Sequence, residues 1–464
     1  MVFEIIGSKL LAPFVGTSTL VWSNIIGVVL VALALGYYLG GRYTQPRFFK
    51  GALLMGSAVF MLIASLYHPM LSFLDALNLS HGQFTVAASL LIFLVPSFLL
   101  AFIAPYISEK IIEHSSMLSR GIGESYMIGS LGGIIGTFGA ASLLIPFFGV
   151  QEILFSLGVV TFSFSLIFYR SWYSLCIIII GCFLFFYPVH SQSTQALFEE
   201  ETPYGLVRVF DVLRDGEKLR ELYIDNLVQT QQKDNGKEIA SQYFYFYNLG
   251  FYFHQKVKKT LMIGGGGYAY PNYFAKQYPD ISMDIVEINP ILTEVAKDFF
   301  EFEESENMHV FHDDGRVFLK NSSAEYDVIL MDAFNGFSLP EHLSTKEFAE
   351  LVYERLSPEG IIIINAPGSI SGNTGRFVRS EIVTYQSVFP YVDVFLPQGS
   401  NDIGKVQNVM IIARKSNFEN QEFAFHSLLK ARYFGEINIK NSQILTDNYS
   451  PVENMNRDLY EYFN

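Results

Sequence analysis

The first 190 residues are almost uncharged: they hold 7 of the chain's 31 Lys and Arg and 6 of its 45 Asp and Glu. Apolar stretches recur there near 17–41, 51–69, 83–105, 126–148, 151–169 and 173–189. Each is close to the roughly 17–25 residues that cross a bilayer as a helix. In lipid a backbone must satisfy its own polar groups, so such runs fold as helices. Residues 1–190 are therefore read as a transmembrane helical domain of about six to seven segments, the last two short and residues 1–15 forming an incomplete one. The stretch SLGGIIGTFGAAS at 130–142 places small residues at the spacing that lets helices approach closely. The two cysteines, Cys176 and Cys182, fall inside one apolar run. They are expected as core or lipid-facing thiols, not as a disulfide framework or zinc site.

The remainder of the chain is acidic and reads as water-soluble. Its acidity argues against nucleic acid, which needs a basic footprint. It suits a cationic substrate, and equally serves solubility. Residues 202–232 alternate apolar and polar side chains, with turn signals at Arg214-Asp215-Gly216 and Asp225-Asn226. A small antiparallel β unit is expected over 200–235. The aromatic segment 238–257 is expected to be helical. From there to the C-terminus, repeating units predict an α/β doubly wound domain over 236–464: strand 260–264, helix 270–278, strand 283–287, helix 290–299, strands 308–312 and 326–332, helix 345–356 and strand 360–365. VDVFLPQ and NVMIIARK supply the last strands.

Ligands bind at the carboxyl ends of strands in such folds. Those ends carry Gly264, Gly265, Gly266 and Gly267, then Glu287, then Asp313 and Asp314, then Asp332. Glycines let a backbone approach a ligand closely, and an acid after the second strand can accept both hydroxyls of a ribose. An acid after the third strand suits an adenine amino group, and one after the fourth faces the reacting end. Each of these acids is also an ordinary helix cap when taken alone. Their order points to a nucleoside ligand.

Here the residues resemble the spermidine synthase (polyamine aminopropyltransferase) family, in its membrane-fused form, across roughly 202–415. LYIDNLVQTQQ resembles a hairpin ending in a ligand-contacting glutamine, which implies Gln229 for that role. IGGGGY resembles the glycine loop, IVEINP the ribose-acid strand and HDDGRVFL, with Asp313, Asp314 and Gly315, the adenine strand. LMDAFNG resembles the strand bearing the catalytic aspartate, implying Asp332, and Tyr243 matches the tyrosine that helps it take a proton from the attacking amine. EIIGSKLLAPFVGTSTLVWSNIIGVVLVALALGYYLGGR and LTDNYSPVE resemble the flanks of membrane-fused members. The resemblance implies a class I methyltransferase-like, spermidine synthase-type fold. It implies a sulfonium substrate, S-adenosylmethionine or its decarboxylated form, cleaved to methylthioadenosine, with no further cofactor. A homodimer formed through the β unit is the implied assembly.

Several positions depart from the family pattern. Gly267 stands where the family has an acid, Asn335 where it has a second aspartate, Phe244 and Tyr245 where it has an acid after the tyrosine, and Gly205 where it has a glutamine. The missing acids are those that hold ammonium groups, and a dication in a dry pocket needs paired carboxylates. Three expectations stay open. The chain is an intramolecular lyase that closes a ring within the sulfonium ligand; or an aminopropyltransferase whose acceptor is held otherwise, by His312, Asp313 or the aromatic segment; or a ligand sensor for a transporter.

Orientation carries a conflict. Arg42, Arg47 and Lys50 flank one loop and Lys110 and Arg120 another, while 70–82 has no Lys or Arg. The positive-inside rule puts the first two loops in the cytoplasm. Counting forward then leaves the soluble half outside, away from a nucleoside supply. A multi-pass protein of a bacterial-type inner membrane with its soluble domain in the cytoplasm is expected, which requires one segment not to cross.

Overall fold

The structure, a computed structural model, describes the chain apart from residues 16–18, 78, 146, 169–180, 184–195, 215, 226, 234–240, 255, 335–338, 400–401, 418–425 and 464. Asn335, Cys176 and most of the expected segment 173–189 lie outside the described residues. The chain divides into two compact units, Met1–Gln195 and Ala196–Asn464.

The first unit is helical: α1 Val2–Val15, α2 Thr19–Arg42, α3 Pro46–Asp75, α4 His81–His114, α5 Leu118–Gly139, which runs into a π-turn at Ala140–Leu144, and α6 Val150–Phe168. Among the described residues four helices are long and apolar enough to cross a membrane: those over Leu20–Arg42, Pro46–Asp75, Gly82–His114 and Leu118–Leu144. α4 outruns the apolar stretch expected at 83–105. At about 1.5 Å per residue its 34 residues exceed a hydrocarbon core. The excess carries the charged residues Glu109, Lys110 and Glu113. α2 and α4 touch backbone to backbone. A Cβ on Gly36 would lie 2.6 Å from the Phe98 carbonyl oxygen, and one on Gly40 2.3 Å from that of Phe102. This is the close approach that a small-xxx-small spacing allows.

The second unit begins with an antiparallel meander, β1 Phe198–Thr202, β2 Gly205–Arg214, β3 Glu217–Ile224 and β4 Leu227–Lys233, paired in chain order. Alternation turns Val207, Val209 and Leu222 to one face, where they bury against Leu292, Val295 and Phe300. That contact docks the meander on the helix Pro290–Phe299. The second sheet has seven strands, β5 Lys259–Ile263, β6 Ser282–Val286, β7 Met308–Phe311, β8 Tyr326–Met331, β9 Leu356–Gly368, β10 Tyr391–Phe395 and β11 Gln407–Arg414. Their order is β10-β11-β9-β8-β5-β6-β7. β5 to β9 pair in parallel, and β11 inserts antiparallel between β9 and β10. The sheet is therefore mixed, because β10 returns to β11 as a hairpin and not through a helical crossover.

β5 through β8 begin and end close to their expected positions, and β9 contains the strand expected at 360–365 but extends over Leu356–Gly368, since unbroken runs such as Leu261–Ile263 and Ile361–Ile364 are buried on both faces. The segment 238–257 differs from the single helix expected. It is a 3-10 helix at Gln242–Asn248 followed by a short helix at Leu249–Phe253. Phe244, Phe246, Tyr247, Leu249 and Phe253 are all buried. Apolar contact on several sides favours a tight wrap over a one-sided helix.

Candidate active site

The chain leaves β5 on one side for β6 and β7, then returns on the other side to β8. The crevice between β5 and β8 is thus a topological switch point, where open α/β sheets bind ligands. Gly264 ends β5 there with φ 94, and a Cβ on it would lie 2.3 Å from the Asp332 carbonyl oxygen. Only glycine fits that position.

All four glycine amides of the loop are engaged. Gly264 N donates to the Val286 carbonyl at 2.9 Å. Gly265 N and Gly266 N both donate to Glu287 Oε2, at 2.8 and 3.2 Å. Gly267 N donates to Thr230 Oγ1 at 3.0 Å. The other Glu287 oxygen accepts from Asn289 N at 2.9 Å. Glu287 is 5% exposed. Burial raises its carboxyl above the usual range, against the pull of those three amides and of His312. In this arrangement the carboxylate first of all holds the loop closed. Tyr268 follows in a left-handed conformation at φ 56, its hydroxyl 2.7 Å from Thr293 Oγ1.

Thr230 escaped the sequence reading, which stopped at its neighbour. Gln229 is the unpaired residue of a β-bulge: Leu222 faces Thr230 and Tyr223 faces Val228, leaving Gln229 between them. Bulges re-aim a side chain at a site edge. The bulge also sets Thr230 against the loop, where a Cβ on Gly267 would lie 2.8 Å from the Thr230 Cβ. The acid expected by resemblance has no room at 267 while Thr230 keeps this place.

The ends of β7 and β8 differ in kind. Asp314 caps the helix Gly315–Asn321, its Oδ1 accepting from Arg316 N at 2.9 Å and Val317 N at 3.0 Å. Its Oδ2 lies 2.7 Å from His342 Nε2. Burial opposes the charge on Asp314, yet the bonds from Val317, His342 and Arg316 hold its carboxyl below the usual range. Asp313 is half-buried like its neighbour, and among the described residues its side chain accepts the short-range bond from Asp314 N, at 2.8 Å. Gly315 packs: a Cβ there would lie 2.4 Å from Ile263 Cγ2. His312 is exposed and meets Thr293 Oγ1 at 3.0 Å.

Asp332 is partly buried after β8, with its own amide on the Ile263 carbonyl at 2.9 Å. Its Oδ2 accepts from the Tyr243 hydroxyl at 3.3 Å, and its Oδ1 from Asn365 Nδ2 at 2.9 Å. The buried Tyr247 hydroxyl faces the same carboxylate. Burial raises the Asp332 carboxyl to about 6, while Asn365 and the tyrosines pull it back. Burial and the facing carboxylate push Tyr243 well above a free phenol, so it remains a donor. A carboxylate poised near neutrality beside a cleft has the character of a general base. Asn365 was not anticipated, although a lone polar residue in IIIINA at a strand end is a legible signal.

The sheet order, the docked meander and these strand ends define an open α/β domain whose candidate site lies at the carboxyl ends of its parallel strands. Residues 245–412 match the family model described as the spermine/spermidine synthase domain. A polyamine aminopropyltransferase of Vibrio vulnificus (strain CMCP6) is 34% identical over 195 residues, covering 41% of this chain and 62% of its own length. A probable polyamine aminopropyl transferase of Bifidobacterium longum (strain NCC 2705) is 26% identical over 238 residues, 51% of each chain. The matches thus span less than two thirds of these relatives. A probable spermidine synthase from Corynebacterium glutamicum ATCC 13032 superposes with a TM-score of 0.46 at 18% identity, covering 56% of this chain and 99% of that one.

Proposed function

We propose that the second unit binds decarboxylated S-adenosylmethionine and transfers its aminopropyl group to an amine, releasing methylthioadenosine. The observation that carries this reading is the corner made by Tyr243, Asp332 and Asn365 at the crevice between β5 and β8. A sulfonium leaves without protonation, so what remains for the protein is to align the nucleophile and remove its proton. Asp332, with a carboxyl near 6, suits proton removal from an alkylammonium, and Tyr243 steadies the oxygen that is not facing Asn365.

The engaged loop favours the decarboxylated ligand. A ligand carboxylate would need donors, and the amides of Gly264 to Gly267 already have acceptors. Gln229, at the bulge of β4, and Asp313, after β7, are proposed ligand contacts. Glu287 would meet ribose hydroxyls through the capacity its three amide bonds leave over. The first unit is proposed to be an integral membrane anchor in a bacterial-type inner membrane, with the second unit in the cytoplasm, where such a ligand is made.

A second reading is favoured by Gly267. With Thr230 packed on that glycine, no acid holds the ligand's ammonium group there, so ring closure within the ligand, a lyase reaction, competes with transfer. Incubation of the purified protein with decarboxylated S-adenosylmethionine, with and without 1,4-diaminobutane, separates the two. Methylthioadenosine formed only with the amine supports transfer; formation without it supports the lyase; none from either overturns both.

A further inference from the structure

Asn365 is only 3% exposed and sits in a β9 run that is otherwise apolar from Ile361 to Ala366. Its Nδ2 reaches Asp332 Oδ1 at 2.9 Å. The amide end that faces a carboxylate has to be the NH2, since a carbonyl there would repel it. Its carbonyl oxygen is then left buried without a partner among the described residues. Buried polar groups are nearly always paired, and an orphan at a reacting corner calls for a ligand donor. The two ends of an amide share one carbon, so this oxygen lies beside the Asp332 carboxylate.

An amine nucleophile supplies the missing donor. A primary ammonium gives one proton to Asp332 and becomes a neutral amine with two N–H bonds and one lone pair. We propose that Asn365 Oδ1 accepts one of those N–H bonds while an Asp332 carboxyl oxygen accepts the other, which aims the lone pair at the sulfonium-bound carbon and selects primary over secondary amines. This rests on the transfer reading above. In the step itself the lone pair forms the N–C bond, and the C–S bond breaks with its electron pair going to sulfur. The sulfonium becomes a neutral thioether and the acceptor leaves as a secondary ammonium. A secondary amine, once neutral, has a single N–H and leaves one of the two acceptors unpaired in a dry corner. Sites built to hydrogen-bond an N–H reject analogues that lack it strongly.

The test uses the full chain in detergent with decarboxylated S-adenosylmethionine and two acceptor pairs: butylamine against N-methylbutylamine, and 1,4-diaminobutane against its N,N′-dimethyl derivative. Release of methylthioadenosine by the wild type is expected to favour the primary amine by about 100-fold or more in kcat/KM. In Asn365→Leu, which keeps the volume and removes both polar ends, the preference is expected to fall to within a few-fold. A preference kept intact in Asn365→Leu, or absent from the wild type, overturns the proposal. Should no amine support release, the transfer reading fails on its own, and binding decides the inference. Calorimetry at pH 8 on protein preloaded with methylthioadenosine, with O-propylhydroxylamine and its N-methyl derivative as amines that are neutral there, should show the primary one bound about 10-fold tighter than the secondary one, with the difference lost in Asn365→Leu. Equal binding of both amines by the wild type overturns it.

Discussion

Two carboxylates stand on either side of β5, and their surroundings give them opposite work. Glu287, after β6, accepts from three backbone amides, two of the glycine loop it holds and that of Asn289. Asp332, after β8, accepts from two side chains, Tyr243 and Asn365, that come from elements far apart in the chain. Backbone amides are fixed by the fold and commit a carboxylate to structure. Burial lifts the Asp332 carboxyl to about 6 against the pull of its side-chain donors, which is the condition for proton transfer. An acid at a strand end acquires its role from what donates to it.

The comparison breaks most readily at Asp332. Asp332→Asn removes the base and is expected to lower methylthioadenosine release by roughly 100- to 10,000-fold, the usual range for a general base. Activity within a few-fold of wild type would end the assignment. The same variant carries a stability signature. Burial raises the Asp332 carboxyl above its unfolded value, so between the two values the folded state holds more protons and stability falls as pH rises. Asp332→Asn should therefore melt at a higher temperature than wild type at pH 7, with the gain vanishing towards pH 4.

The pH dependence of the wild type follows from the same group. Release should decline below pH 6 as Asp332 takes up a proton. A rate profile flat from pH 8 to pH 5 would point to another base.

Glu287→Gln tests the other side. One end of the new amide would set an NH2 against a loop N–H. The loop should loosen, weakening methylthioadenosine binding by about 10-fold and stability by about 1–3 kcal/mol, as for an unpaired buried donor. Calorimetric titration and thermal melting read the two effects. Unchanged binding would mean that the loop closes without this acid.

The smallest effect is expected at Asp314. As a helix cap its replacement in Asp314→Ala should cost about 0.5–2 kcal/mol of stability. Methylthioadenosine affinity should change little, because both its oxygens already face Arg316, Val317 and His342. A loss of affinity as large as that from Glu287→Gln would make Asp314 a ligand contact as well as a helix cap.

Much of the second unit was legible because burial on both faces of a sheet leaves unbroken apolar runs, and glycine before a helix marks a turn. The positions of Gly264, Glu287, Asp313 and Asp332 at strand ends followed from that pattern alone. The nearly uncharged first 190 residues likewise determined helices long enough to cross a membrane, since continuous apolar runs of that length satisfy their own backbone as helices. What the linear order could not supply were partners distant in the chain. Thr230 meets Gly267 only because a bulge turns β4 onto the glycine loop. Asn365 meets Asp332 only because β9 lies beside β8. Asp313 and Asp314 are chemically alike and adjacent, yet Asp314 is the one that caps a helix, and the three amide donors of Glu287 were not announced by its place at a strand end. A side chain's type and strand position are local properties; burial and hydrogen-bond partners depend on neighbours brought together by the sheet, and these decide which carboxylate holds a loop and which can take a proton.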